Sequence, residues 1–276
     1  MNDTNKSMMM VLLMVMSSLL AGYSPTIGDA EAAQVVITDA VQVVDGGQVN
    51  DRMAAVDSDG DGNIHIVWSR NTQHLFYTML DARAQTVISA TQISNTGAHR
   101  SWNPDIAVDD SGMVHVTWAN TAGQHSIMYT LLDPSFHPQD GSPGDDSTLS
   151  MVDDFIVSQR NQDRGWPAIA LDSIGSVHIV WQDSYEQLDK FYQQPQIYYS
   201  MLDIDLSTRE AITAIDDTLL TPIIGHKGHP DIAVDANDFV QIVWDDTRGG
   251  KVEFAAPIDT SGSMYQEWGD MCTCLL

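Results

Sequence analysis

Four stretches of this chain are copies of one phrase, and that recurrence limits the available folds more than any other feature. They are "RMAAVDSDGDGNIHIVW" (52–68), "PDIAVDDSGMVHVTW" (104–118), "PAIALDSIGSVHIVW" (167–181) and "PDIAVDANDFVQIVW" (230–244), each closing on a tryptophan: Trp68, Trp118, Trp181 and Trp244. A second echo follows each: "LFYTMLD" (75–81), "IMYTLLD" (127–133), "IYYSMLD" (197–203) and, less closely, "VEFAAPID" (252–259). A third echo precedes the next phrase, seen best in "VVITDAVQVVDGG" (35–47) and "TVISATQISNTG" (86–97). A unit recurring every 50 to 63 residues is the mark of stacked or radial repeats.

Each piece is a short run rich in Val, Ile, Tyr and Thr, bounded by Gly, Asp, Asn or Pro, which is how strands read. Within "NIHIVW", Ile64, Ile66 and Trp68 alternate with His65 and Val67, so neither face is strongly polar and both are expected to be covered. The Asp/Ser/Gly link between the first two strands suits a tight hairpin. Every repeat therefore reads as a four-stranded antiparallel unit. The fold expected is all-β, a β-propeller with about four blade units visible, either whole or part of a larger ring. A two-sheet sandwich does not require the whole phrase to recur so regularly. The segment 35–47, lying before the first full repeat, is placed to complete the sheet of the last blade.

The phrase "PDIAVDxxGxVHVxW" resembles the repeats of secreted sialidase-like (BNR or Asp-box-like) β-propellers over residues 35 to 255. These motifs are structural, so the resemblance implies fold more than activity. A sialidase would need an arginine cluster, a Tyr–Glu nucleophile pair and an acid. The family's Arg-Ile-Pro entry is absent here, and the strict SxDxGxxW box is only approximated. Carboxylates are abundant, but no spacing singles out a catalytic pair.

Charge narrows the partners. With 12 basic and 38 acidic residues and a net charge of −26, the chain repels phosphate backbones and anionic bilayers. Nucleic acid is excluded as a partner. Residues 8–22, "MMMVLLMVMSSLLAG", form an uncharged apolar run behind Lys6, and Ala30-Glu31-Ala32 is a small-x-small cleavage pattern. Residues 1–32 are thus expected to be a secretory signal peptide, with membrane contact only if it stays uncleaved, and the protein secreted or at the cell surface. The two cysteines, Cys272 and Cys274, sit at the extreme C-terminus, so disulfides do not hold this fold together.

Three groups of residues are candidates for function. In "DSDGDGN" (57–63), Asp57, Asp59 and Asp61 alternate as ligands of a hard cation such as Ca²⁺ would, with Gly62 at the sharp turn. The stretch resembles the first half of an EF-hand loop and the DxDxDG loops of integrin α propellers. It departs from both in its last ligand, which falls on Trp68 or His65. A solvated acidic turn is the competing reading. His65, His115 and His178 share one repeat position, occupied by Gln241 in the fourth; equivalent positions in successive blades lie far apart, which favours satisfied interior histidines over a metal ring. "RSWNP", "RGWP" and "KGHP" place Arg100, Trp102, Arg164, Trp166, Lys227 and His229 just before the first strand of three blades. They line the channel mouth as a pocket for sugar or carboxylate, or stiffen the strand entry and pack between blades.

At the C-terminus, "IDTSGSM" resembles the DxSxS signature of von Willebrand factor A domains. The resemblance implies that Asp259, Ser261 and Ser263 hold Mg²⁺ or another divalent ion at a metal-dependent adhesion site. The same "VEFAAPID" is also needed as the third strand of blade four. The organisation expected is a signal peptide (1–32), propeller repeats (33–258) and the start of a truncated A-type segment or tail (259–276). The sequence leans away from an enzyme, towards a secreted or surface binding or adhesion module for a glycan or protein ligand. A sialidase-like glycoside hydrolase acting on extracellular glycans is the alternative.

Overall fold

A computed structural model describes residues 42–44, 49–94, 100–121, 125–136, 149–160, 164–184, 195–221, 225–246 and 251–259. Fifteen strands run in chain order: β1 (Asp51–Ser58), β2 (Ile64–Arg70), β3 (His74–Leu80), β4 (Thr86–Gln92), β5 (Ser101–Val108), β6 (Val114–Asn120), β7 (His125–Leu132) and β8 (Ser150–Arg160). Then follow β9 (Arg164–Leu171), β10 (Val177–Ser184), β11 (Pro195–Asp205), β12 (Glu210–Leu219), β13 (Lys227–Val234), β14 (Phe239–Asp246) and β15 (Lys251–Asp259). They form three four-stranded antiparallel meanders, β1 to β4, β5 to β8 and β9 to β12, and a sheet of three described strands, β13 to β15. The fold is an all-β propeller of antiparallel blades, as the repeats require. "VEFAAPID" falls in β15 and pairs with β14, so that stretch belongs to the fourth blade. Residues 42–44 carry no strand, and the rest of the expected closing segment lies outside the described residues, as do the signal segment, Ser261 and Ser263.

The blades pack face to face around the first strand of each. β1 packs on β5, β5 on β9 and β9 on β13. Each junction repeats one scheme. One face of a blade supplies a buried tyrosine with small or branched neighbours, and the next supplies the repeat's tryptophan with its Ile and Val neighbours. Between the first and second blades these are Ala55, Val67 and Tyr77 against Ile106, Val116 and Trp118. The following junctions use Ile127 and Tyr129 against Ile169, Ile179 and Trp181, then Ala168, Val180 and Tyr199 against Ile232, Ile242 and Trp244. Val56 occupies the position of Ile106, Ile169 and Ile232, yet it is 63% exposed where they are 6%, 6% and 8% exposed. No described blade precedes the first.

The first strands are sheet edges, which explains their prolines. Pro104, Pro167 and Pro230 sit inside β5, β9 and β13, where an interior strand would lose a ladder bond. The register slips at this point in all four blades. The residue before the proline, or before Ala54 in the first blade, is left-handed: Met53 (φ 55°), Asn103 (47°), Trp166 (48°) and His229 (46°). A following proline disfavours the right-handed helical region.

Candidate functional site at the mouth of the innermost strands

The hairpin aspartates and the interior histidines form one device. Asp59 Oδ1 accepts the backbone N–H groups of Asp61 (3.0 Å) and Asn63 (2.8 Å), and its Oδ2 accepts the Asn63 side-chain amide (2.7 Å). Asp109, Asp172 and Asp235 bind their own turns in the same way. The second oxygen then meets the histidine: His65 Nε2 lies 3.3 Å from Asp59 Oδ2, His115 3.6 Å from Asp109, and His178 3.3 Å from Asp172. On the other side of each ring, Nδ1 meets a tyrosine hydroxyl, at 2.9 Å for Tyr77, 2.9 Å for Tyr129 and 2.7 Å for Tyr199. With carboxylate on one side and O–H on the other, the neutral ring donates from Nε2 and accepts at Nδ1. Burial favours that neutral form, lowering His65 and His178 against the pull of their aspartates. Burial likewise holds Tyr77 and Tyr129 well above the ordinary phenol range.

In the fourth blade both partners are replaced. Gln241 replaces the histidine and reaches Asp235 Oδ2 at 3.4 Å. Opposite Val243, where the other blades place their tyrosine, stands Phe254, which has no hydroxyl to offer. All three are interior groups, His65 and His178 bonded through both ring nitrogens and His115 through Nδ1, with its Nε2 3.6 Å from Asp109.

The aspartates of "DSDGDGN" are therefore committed to the turn and to the neighbouring blade. Asp57 Oδ1 accepts Ser58 N–H and its Oδ2 accepts Val108 N–H across the blade junction, both at 2.8 Å, while Asp61 is exposed. They do not converge on one point: among the described residues no three His, Cys, Asp or Glu side chains gather as a metal group. Asp259 lies in β15, its backbone paired with Phe239, with its side chain outside the described set.

At the opposite end of the first strands, the proposed mouth residues fall into two sets. One set is aromatic and forms a row across three blades. Trp102 meets Trp166 edge-on with ring centroids 5.7 Å apart, and Trp166 meets His229 edge-on at 4.9 Å. Trp166 and His229 are exposed, and Trp102 is partly buried. The sequence placed these residues on loops before the strands; the structure puts them inside the strands, at the left-handed bulge. It also shifts Trp102 by one position, since the register aligns it with Gly165 and Gly228, and Asn103 with Trp166 and His229. Gly165 lies against it: a Cβ there would stand in ordinary contact, 3.5 Å from the Trp102 ring.

The other set is basic, and one of its members is not free to meet a ligand. Lys227 donates to Asp246 at 2.6 Å with side chains 1% and 2% exposed, so it is a buried ion pair and not a pocket residue. Arg164 stands opposite Asp183 in the ladder, with its own side chain outside the described set. In the first blade the same rung joins Arg70 to Asp51 through two hydrogen bonds of 2.8 and 2.9 Å. Arg100 is exposed immediately before β5.

Sequence reasoning did not single out the carboxylates here. Asp245 accepts from His229 Nδ1 at 3.0 Å, and both are exposed. Asp105 and Asp231 occupy one repeat position on β5 and β13, where the first and third blades have Ala55 and Ala168. Asp105 Oδ2 accepts Ile169 N–H at 3.0 Å, so it caps an edge N–H of the next blade as Asp57 does. Burial raises its pKa, and the charges of Asp231 and Asp57 push in the same direction, against hydrogen bonds from Ile169 and Ile106. The detectable signal was the departure from Ala to Asp within "PDIAVD".

No family model and no curated protein matches the chain. Solved structures do. An endo-arabinase from Bacteroides thetaiotaomicron is 11% identical over 75% of this chain and 74% of that one, with a TM-score of 0.44. An α-L-arabinanase from Penicillium chrysogenum complexed with arabinobiose is 9% identical over 74% and 61%, TM-score 0.49. A thermostable family-43 glycoside hydrolase is 12% identical over 76% and 69%, TM-score 0.45. At such identities the likeness concerns the fold alone. The three are, by their descriptions, an endo-arabinase, an α-L-arabinanase and a glycoside hydrolase, which stands against the sequence's lean away from an enzyme.

Proposed function

We propose that this chain is an exported, glycan-acting β-propeller of the glycoside-hydrolase kind, with its ligand lying across the Trp102, Trp166 and His229 row. The observation that carries the reading is the conformation of Trp166 and His229. Left-handed backbone suits glycine or asparagine and costs a bulky residue of order 1–3 kcal/mol. Here two large rings occupy it side by side, exposed, at the end of the first strands opposite the hairpin aspartates. Exposed aromatic faces beside hydrogen-bonding carboxylates are what a sugar ring needs: apolar C–H faces stack and hydroxyls bond. Asp105, with its pKa raised by burial, is the candidate acid, and Asp231, at the same position of the fourth blade, is the second candidate carboxylate of the pair that glycoside hydrolysis requires.

The test is release of reducing ends from plant and microbial polysaccharides, repeated with Asp105→Asn, Asp231→Asn and Trp166→Ala. The reading expects turnover that falls at least about 100-fold in either carboxamide variant, and binding that disappears with Trp166. Absence of both turnover and Trp166-dependent binding across such a panel refutes it.

A further inference from the structure

We propose that His229 and Asp245 form a proton-transfer pair at the mouth, with His229 Nε2 taking the proton of an attacking water and Asp245 positioning the ring; this rests on the proposed glycan-acting function and adds a catalytic residue to it. The chain supplies its own comparison, since among the described residues four histidines stand beside aspartates. His65, His115 and His178 are sealed inside the blades, with Nε2 facing the turn aspartate and Nδ1 meeting a tyrosine hydroxyl. His229 is turned the other way. Its Nδ1 lies 3.0 Å from Asp245 Oδ2, and the two side chains are 59% and 50% exposed. A neutral ring that donates from Nδ1 to a carboxylate carries its lone pair on Nε2. The carboxylate fixes that tautomer and stabilises the imidazolium that forms when Nε2 takes a proton.

The backbone around the pair is shaped to hold it. Asp245 faces Gly228 across the rung joining β13 to β14, and a Cβ at Gly228 would stand 2.9 Å from Asp245 Oδ1, so glycine admits the carboxylate there. The next residue, His229, is left-handed at φ 46°, and its ring meets the exposed Trp166 edge-on at 4.9 Å. Stability does not account for this choice, because an exposed ion pair contributes little and left-handed backbone is easier for glycine than for histidine. Asp231 pairs with Val243, two residues before Asp245, so the two carboxylates lie on one face of the blade. In the hydrolytic step, water gives a proton to His229 Nε2 as its oxygen bonds to the anomeric carbon. The bond from that carbon to the leaving oxygen breaks with its electron pair on the oxygen, which takes a proton from Asp105. Solvent then removes the proton from the imidazolium and restores the one on Asp105. Asp231 is left to face the positive charge that develops at the carbon.

The experiment uses the full chain and measures initial rates on the polysaccharides that it cleaves, with calorimetry for binding. His229→Asn keeps a residue that tolerates left-handed backbone but takes up no proton, so kcat should fall at least about 100-fold with KM little changed. His229→Gly leaves the space of the ring empty, and added imidazole should raise its rate at least about tenfold, a rescue that a merely structural histidine would not give. Asp245→Asn should lower kcat at least about tenfold, again with KM little changed. Unaltered kcat in His229→Asn, or a loss in His229→Gly that imidazole does not reverse, overturns the proposal while leaving the glycan reading intact. Binding without turnover by the wild-type chain also overturns it and leaves a glycan-binding propeller. Neither binding nor turnover removes the glycan reading and the proposal with it.

Discussion

The Asp–His–Tyr device gives a quantitative prediction, because the fourth blade already shows what replaces it. Tyr199→Phe removes the hydroxyl that donates to His178 Nδ1 at 2.7 Å and leaves that nitrogen buried without a donor. Leaving such a group unsatisfied costs about 1–3 kcal/mol. His178→Gln keeps an amide for Asp172, as Gln241 does for Asp235, but abandons the Tyr199 hydroxyl in a fully buried site, for a similar cost. The double variant recreates the Gln241 and Phe254 pair and leaves no orphan on either side. It should therefore cost less than the two single changes together, with a coupling of about 1–2 kcal/mol in its favour. Urea unfolding of the four proteins at constant m measures this directly. For a domain of this size, each kcal/mol also appears as about 2–4 °C in Tm. Additivity within about 0.5 kcal/mol, or a double variant worse than the sum, would refute the idea that histidine and tyrosine are one unit.

Three further outcomes follow from the same geometry. Trp166→Asn places a residue that tolerates left-handed backbone at φ 48°, so stability should change by less than about 1 kcal/mol while oligosaccharide binding is lost; equal loss of both by denaturation and titration would make Trp166 a packing residue only. Gly228→Ala puts a Cβ 2.8 Å from Gln182 Oε1 and 2.9 Å from Asp245 Oδ1, and should destabilise by about 1–3 kcal/mol, whereas Gly112→Ala, with open space but φ 82°, should cost only its backbone strain, as thermal melts will show. Stability should fall as pH drops below about 6.5, because burial lowers His65 and His178 and the unfolded chain takes up the protons first. It should fall again below about 3.8 as Asp109, held down to about 2 chiefly by bonds from His115, Ser111 and Met113 that outweigh its burial, is protonated. In the alkaline direction Tyr77 works the opposite way, its share fully present below about 10 and lost above. A flat melting curve between pH 7 and 4 would contradict the histidine part.

What the sequence determined by itself was periodicity. Alternation within "NIHIVW", turn residues at fixed offsets and four recurring tryptophans specify strand, hairpin and blade, because each depends on residues close together in the chain. The interior histidines were legible for the same reason, since one position repeated in successive blades cannot converge on one ion. Only the tertiary structure decided what depends on the partner across a ladder or a blade junction. That Lys227 is locked to Asp246 follows from the rung joining β13 to β14, and that Asp57 caps Val108 follows from the packing of one first strand on the next. The one-residue shift of Trp102 relative to Trp166 is already in the chain, as Trp102 stands two residues before Pro104 and Trp166 one before Pro167, but that the two rings meet across the junction was decided by the packing of β5 on β9. Charge and aromaticity are written in the chain, but whether a charged group meets solvent, a ligand or another side chain is set by contacts between residues far apart in it.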